Sequence, residues 1–456
     1  MVNPLSNKAK QTIAALQPLS TAAKSGIRFN STLLKASPGL FRCLRERRKP
    51  TAVEVRTLFE SLGVTYIKLG QFIASSPTLF PADYVEAFQG CLDNTPAIPY
   101  REIIRIIEQE LGHPSEHQFR YIEKTPLASA SIAQVHGAVL HSGEKVVIKV
   151  QKPNVESIID TDLNTAFFIS RIIELVSPAL DREAITDIIS EIHRSMRDEC
   201  DFIKEANNLT GFNDFLREQA INQVIAPKVY PAASGKKILT MSRIDGKSFT
   251  DKSILDIDAD TDNLLQVDAQ AALFSALNAW FLSLKHCEFF HADLHSGNLL
   301  LTPSGQVAFI DFGMVGKITP AIWSAAVNLV QSFSEENFTA MAEAMIAVGM
   351  TKRKVDAAQL ENDLRMMFTE TMFSQDKPAG LEQSRGQHQE DKSNPRNDDN
   401  GPLTIVSSIA RRHGIRFPSA FTLLLKQFLY FDRYLQLLAP DTDLFNHQNF
   451  QDSDTL

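Results

Sequence analysis

The sequence predicts an α+β protein in two parts, a small β-rich lobe followed by a larger helical lobe. Three observations carry that prediction. Between residues 116 and 245, short runs rich in Val, Ile and aromatic residues are punctuated by turn residues. From 262 onward the apolar residues recur mainly at helical spacing. The 456 residues, 44% hydrophobic and 22% charged, suit two domains, or one large domain with extensions, and can bury a large core.

Residues 1–50 carry ten Lys/Arg against one acid, Glu46, in a chain of net charge −8. This basic arm reads as a solvated, partly disordered segment, a membrane-surface helix or an organelle transit peptide. The overall acidity gives no nucleic-acid signature. Residues 51–115 read as helices: "VEVRTLFESLGVTYIKLGQFIASS", "ADYVEAFQGCLD" and "YREIIRIIEQELG", separated by prolines 77, 81, 96 and 99.

Strands are predicted at "FRYIE", "ASIAQVHGAVL" and "KVVIKVQ", with "HSGEK" (141–145) as a hairpin turn. Residues 154–218 read as a helical insertion, and "VIAPKVY" and "KKILTMSRI" return to strand. In the helical lobe, 246–456, the expected exception is "QVAFI" before Asp311. The uncharged run 269–284 reads as a buried core helix, too short to span a bilayer. The run 417–440, interrupted by Lys426, Asp432 and Arg433, reads as an amphipathic packing helix, with a membrane-touching helix as the other reading. Residues 374–402 have almost no large apolar side chains and are expected to be a disordered loop. Four scattered cysteines without a CxxC pair suggest neither a disulfide framework nor a zinc site, and point to a reducing compartment.

The chemistry lies in "FFHADLHSGNLLL" (289–301) and "IDFG" (310–313). Asp293 precedes Asn298 by five residues, and Asp311 follows by thirteen. Phosphoryl transfer from a nucleotide needs cations on the phosphates, oxygen ligands for Mg²⁺ and a group that orients the nucleophile. Asn298 and Asp311 supply the oxygens, and Asp293 is left to act on an attacking hydroxyl. The intervals match the protein-kinase pattern HRDxxxxN followed by DFG. His291 reads as a structural hydrogen-bonder, and His295 stands where many kinases place a lysine. Upstream, "VVIKVQ" supplies Lys149 as the strand lysine. Its partner is expected at Glu205, with Glu199 as the alternative. One feature departs from a kinase: no GxGxxG precedes the second strand, and Ala128, Ser129, Ala130 and Ser131 stand there. Their Cβ atoms limit backbone approach to phosphates.

These motifs together resemble the UbiB/ADCK (aarF domain-containing) family of atypical protein-kinase-like proteins, over about residues 55–350. "KLGQ" (Lys68–Gln71) matches that family's KxGQ motif, "ASAS" its Ala-rich loop, and "ECD" (Glu199–Asp201) its ExD motif. "HADLHSGN" and "DFG" match its catalytic and metal motifs, with Leu294 and Ser296 where prolines are frequent. The resemblance implies a two-lobed kinase-like fold with an N-terminal helical extension bearing KxGQ. At 100° per residue, Lys68 and Gln71 share one helix face and Leu62, Tyr66, Leu69 and Ile73 the other. By analogy the helix would lie over the nucleotide site, with Lys68 meeting Glu199 or Asp201, as a lid against protein substrates.

The resemblance further implies ATP and Mg²⁺ as cofactors, slow ATPase activity and a supporting role in ubiquinone or related prenyl-quinone biosynthesis. Expected partners are ATP or ADP, quinone-pathway lipid intermediates, biosynthetic enzymes, a membrane surface contacted peripherally and a second copy in a homodimer. The expected location is cytoplasmic and membrane-peripheral, or an organelle if residues 1–50 are a transit peptide. Two other readings stand beside this one: a nucleotide-gated scaffold or lipid-binding chaperone without phosphoryl transfer, and a small-molecule kinase resembling aminoglycoside phosphotransferases.

Overall fold

A computed structural model describes residues 46, 50–74, 82–89, 96–164, 193–251, 268–351, 355–375, 406, 409–410 and 412–439. The basic arm apart from Glu46 and Pro50, residues 165–192 of the insertion and residues 376–402 of the polar stretch lie outside them.

In chain order the elements are α1 (Ala52–Leu62), α2 (Val64–Ala74), α3 (Ala82–Gln89), α4 (Tyr100–Leu111), β1 (Phe119–Ile122), β2 (Ala128–Ser129), β3 (Ala133–Leu140) and β4 (Lys145–Gln151). They continue as α5 (Phe202–Glu218), β5 (Val224–Ile225), β6 (Ile238–Ser242), β7 (Lys247–Ser248), α6 (Ala269–His286), β8 (Phe290–His291), β9 (Leu299–Leu301), β10 (Val307–Phe309) and β11 (Val315–Gly316). The last are α7 (Pro320–Ser334), α8 (Phe338–Val348), β12 (Met350–Thr351), α9 (Ala357–Gln375), β13 (Ile415–Arg416) and α10 (Ser419–Leu438). The described residues fall into two compact units. One comprises those up to 74, 86–207 and 229–243; the other comprises 75–85, 208–228 and those from 244 on.

The first unit is built on an antiparallel sheet in the order β1-β3-β4-β6, with β2 beside β3. The β3–β4 hairpin turns where "HSGEK" predicts it, with Gly143 at φ 89°. Period-2 alternation on β4 sends Val146, Ile148 and Val150 to one face, all fully buried. Helix α4 covers that face with Ile103, Ile106 and Ile107, spaced three and four apart on one stripe. Lys149 therefore points to the opposite face. A polar clasp fastens the chain leading into α4. The Gln134 amide bonds Ile98 N and O at 2.9 and 3.3 Å, and Lys152 Nζ donates to Pro96 O at 3.2 Å.

The helical run predicted around Lys68 is broken in two. Gly63, at φ 101°, ends α1, and α2 starts at once. A left-handed φ is cheap only for glycine, so the sequence signal for this break is the glycine itself. Thr51 and Glu54 form a capping box at the start of α1. The Phe59 ring meets Tyr66 of α2 and Phe88 of α3 edge-on.

The second unit centres on α6 and α10. Leu273, Ala276, Leu277 and Trp280 of α6 are fully buried, as the core-helix reading expects. Trp280 packs against Phe428 and Phe431 of α10. With Phe421, Leu424 and Tyr434 also buried, α10 is a packing helix of the core, and its apolar stripe is spent on protein rather than lipid. No helix among the described residues is long and apolar enough to cross a membrane. The unit holds more β-structure than the predicted runs "VIAPKVY" and "QVAFI". β10 pairs antiparallel with β9 and parallel with β5, while β7 borders β9. β8 and β11 form a separate antiparallel pair. These strands are two or three residues long, too short for alternation to announce them.

Candidate active site

In the first unit, α2, β4, the start of α5 and the residues just before it bring four charged groups into two ion pairs. Lys149 Nζ donates to both carboxylate oxygens of Glu205 at 2.9 Å. Lys149 is 8% and Glu205 2% exposed, so this pair is removed from water. The Phe202 ring lies 5.4 Å from the ammonium. Glu205 sits in the first turn of α5, where the helix dipole also favours a negative charge. Asp201 opens that helix: its Oδ1 accepts from Ile203 N at 3.2 Å. Glu199 instead receives Lys68 of α2, whose Nζ lies 2.9 Å from Oε2, both side chains mostly buried. Gln71 lies three residues on along α2 and is half-buried. Cys200, between the two carboxylates, is buried, and its thiol is pushed up to about 12, first by burial and then by Glu199. It is therefore an inert thiol at neutral pH.

The Ala-rich stretch is a tight turn closed on the sheet. Ala128 and Ser129 pair with Val135 and Gln134, and Ala130 N donates to Ala133 O at 2.9 Å. Ser131 is fully buried.

In the second unit, the loop after β8 carries Asp293 and Asn298, and the residue after Ile310 is Asp311. The β9–β10 pairing places the two loops side by side: Ile310 N donates to Asn298 O at 3.0 Å. Asn298 is 7% exposed, and its Nδ2 donates to Asp293 O at 2.9 Å. Its Oδ1 is thereby the atom turned to other work. Asp311 adopts φ 60°, a left-handed conformation that Asp tolerates better than most residues. Its Oδ1 accepts from Gly313 N at 3.2 Å.

His291 is fully buried beneath both loops. Its Nδ1 accepts from Asp293 N at 3.2 Å, and its Nε2 donates to Ile310 O at 3.0 Å. This pattern fixes the neutral tautomer, and burial holds its pKa below the ordinary value. Trp280 Nε1 donates to His291 O at 3.1 Å. His295 is half-exposed, and its Nε2 is 3.7 Å from Asp293 Oδ2.

Helix α10 contributes three polar groups, of which only Lys426 is noted in the sequence, as an interruption of the apolar run. Gln427, fully buried, accepts from Leu294 N at 2.8 Å and donates to Ala292 O at 2.7 Å. Tyr434 Oη donates to Leu294 O at 2.9 Å. Lys426 Nζ donates to Asp293 Oδ1 at 2.9 Å. The signal was present in the apolar run "FTLLLKQFLYFDRYLQLL", where Lys-Gln interrupts a stripe that packing alone would fill with aliphatic residues.

A Mg²⁺ ion fits the donor set of the second unit. Asn298 Oδ1 and the Asp311 carboxylate are hard oxygen donors on adjacent strand ends. Among the described residues no group of three His, Cys, Asp or Glu is gathered for a metal. A site with few protein ligands suits an ion that takes its remaining oxygens from phosphates and water.

The chain matches the model of the ABC1 atypical kinase-like domain over residues 90–345. An uncharacterized chloroplastic aarF domain-containing protein kinase of Arabidopsis thaliana is 42% identical, over 86% of this chain and 73% of that protein. A probable protein kinase UbiB of Azotobacter vinelandii is 29% identical, over 70% of this chain and 59% of that protein. Among solved structures, the erythromycin complex of Rv3197 from Mycobacterium tuberculosis covers 75% of this chain and 80% of its own. Its TM-score is 0.50 and its identity 20%, a likeness of fold.

Proposed function

This chain belongs to the ABC1 atypical kinase-like family, and on that premise we propose that it binds Mg-ATP and acts as an atypical kinase or ATPase of the UbiB type. In this reading it supports ubiquinone or related prenyl-quinone biosynthesis at a membrane surface. The observation that carries the reading is the buried two-oxygen pairing of Lys149 with Glu205. A lysine taken out of water is costly to keep, and its charge is best explained by an anionic ligand that the glutamate orients it to meet.

Each residue then has a task. Lys149 holds the α- and β-phosphates, and Glu205 fixes its ammonium. Asn298 and Asp311 hold the magnesium. Magnesium, when bound, draws off phosphate charge as it builds on the leaving oxygen. Asp293 orients the attacking hydroxyl of an acceptor or of water. The hydroxyl oxygen bonds to the γ-phosphorus as the bond to ADP breaks, and the hydroxyl proton leaves by way of the Asp293 carboxylate. Ala128–Ser131 hold the nucleotide without the backbone freedom of a glycine loop. Lys68 and Gln71 on α2, with Glu199 and Asp201, restrict access to it.

The test is Mg-dependent binding of ATP and ADP by thermal shift, followed by ADP release with and without anionic liposomes and prenyl-phenols. Binding that Asp311→Asn abolishes is the expected result. No Mg-dependent stabilisation by either nucleotide overturns the reading. The Lys68–Glu199 pair favours a second reading, a nucleotide-gated scaffold that turns over little ATP. If Asp293→Asn preserves quinone synthesis in cells and Asp311→Asn abolishes it, this second reading replaces the first.

A further inference from the structure

We propose that Lys426, on a helix far downstream of the catalytic motifs, is a positioning residue for phosphoryl transfer: it sets which face of the Asp293 carboxylate meets the acceptor. The inference rests on the role given to Asp293 above and adds to it a residue outside the matched domain segment. Lys426 Nζ donates to Asp293 Oδ1 at 2.9 Å, with the two side chains 20% and 23% exposed.

The mounting of Lys426 is rigid. The next residue, Gln427, clamps the backbone on both sides of Asp293 through Leu294 N and Ala292 O. One turn on, Tyr430 places its ring 5.6 Å from the ammonium. Burial raises the Tyr430 phenol, so it stays a neutral wall there. The ammonium thus has little freedom, and it approaches Oδ1. Oδ2 faces the other way, toward His295 at 3.7 Å. A carboxylate can orient a hydroxyl in line with the γ-phosphorus only if its own rotamer is fixed. Lys426 supplies that constraint through Oδ1.

The experiment compares wild type with Lys426→Met, Lys426→Gln, Lys426→Arg, Asp293→Asn and the Lys426→Met/Asp293→Asn double variant, all in the full chain. ADP release gives kcat and KM, calorimetry gives the Mg-ADP Kd, and a brief acetic anhydride pulse read by mass spectrometry gives Lys426 reactivity. Loss of positioning should lower kcat about 10- to 100-fold in the Met and Gln variants, with KM and Kd nearly unchanged. Arg should restore most of the rate. The double variant should be no slower than Asp293→Asn alone, and Lys426 should label faster in Asp293→Asn than in wild type. Wild-type kcat in the Met or Gln variant, or a further full loss in the double variant, overturns the proposal. So does Lys426 labelling equally fast with and without the Asp293 carboxylate while turnover is intact. A wild-type chain that binds no Mg-nucleotide and releases no ADP overturns the parent reading instead.

Discussion

Lys68 of α2 and Glu199, at the threshold of α5, meet at 2.9 Å with 15% and 11% of their side chains exposed. Removing Lys68 leaves Glu199 a shielded charge without this lysine, a loss of about 3 kcal/mol. Lys68→Ala should therefore lower the midpoint of urea unfolding, and Glu199→Gln added to it should recover part of the loss. If α2 restricts the nucleotide site, Lys68→Ala also shifts the ratio of ATP to ADP affinity measured by calorimetry. Unchanged affinities for both nucleotides would remove the lid.

Lys149 and Glu205 are coupled more tightly. Lys149→Met removes the ammonium 2.9 Å from a glutamate that is 2% exposed. It should cost about 3–5 kcal/mol of stability and remove measurable Mg-ATP binding. A Lys149→Met/Glu205→Leu double variant should recover stability without recovering binding. Chemical denaturation and calorimetry on the same samples separate the two effects. Recovery of binding in the double variant would deny Lys149 its phosphate.

Asp311 allows a separation of backbone from charge. At φ 60° an alanine is strained by about 1 kcal/mol, whereas asparagine tolerates the left-handed region. Asp311→Asn should keep the thermal stability of the wild type and lose Mg-dependent nucleotide binding. Asp311→Ala should lose both. A metal-independent role for Asp311 would show as intact binding in the Asn variant.

His136 makes the first unit acid-sensitive. It is fully buried, with Nδ1 donating to Glu123 O at 2.7 Å and Nε2 accepting from Gln134 Nε2 at 2.9 Å. Burial lowers its pKa, against the opposing pull of the Glu123 carbonyl and carboxylate. The unfolded chain therefore takes up the proton first. The contribution of His136 is complete above the unfolded value near 6.5 and is lost as pH falls through the folded one. A proton on Nε2 would also turn a donor toward the Gln134 amide that holds Ile98. Tm measured from pH 8 to pH 5.5 should fall less steeply in His136→Gln than in wild type. Parallel curves would show that this histidine does not titrate on unfolding.

Much of this was legible in the sequence because it is local. The intervals around Asp293, Asn298 and Asp311 are set by one loop and one hairpin. The β3–β4 hairpin is announced by its glycine and its alternating strands. The pairing choices were not legible. Spacing left Glu199 and Glu205 both open to Lys149, and only the approach of α2, which brings Lys68 to Glu199, assigns one glutamate to each lysine. The clamp from α10 was hidden for a different reason. A buried Gln427 is satisfied by backbone atoms of a loop remote in sequence, and no periodicity within its own helix encodes that distance. The two-residue strands β7, β8 and β11 were hidden because two residues cannot display alternation, whereas β5 and β10 lie in the predicted runs "VIAPKVY" and "QVAFI".

The matched domain segment stops at residue 345, yet Lys426, Gln427 and Tyr434, which grip the Asp293 loop, come from Ser419–Leu438. A gene fragment trimmed to the domain limits would thus encode every recognised motif from Lys149 onward while omitting their far buttress. Such a fragment should leave Leu294 N and Ala292 O without their glutamine. Its failure in an assay would say nothing about the chemistry of the whole chain.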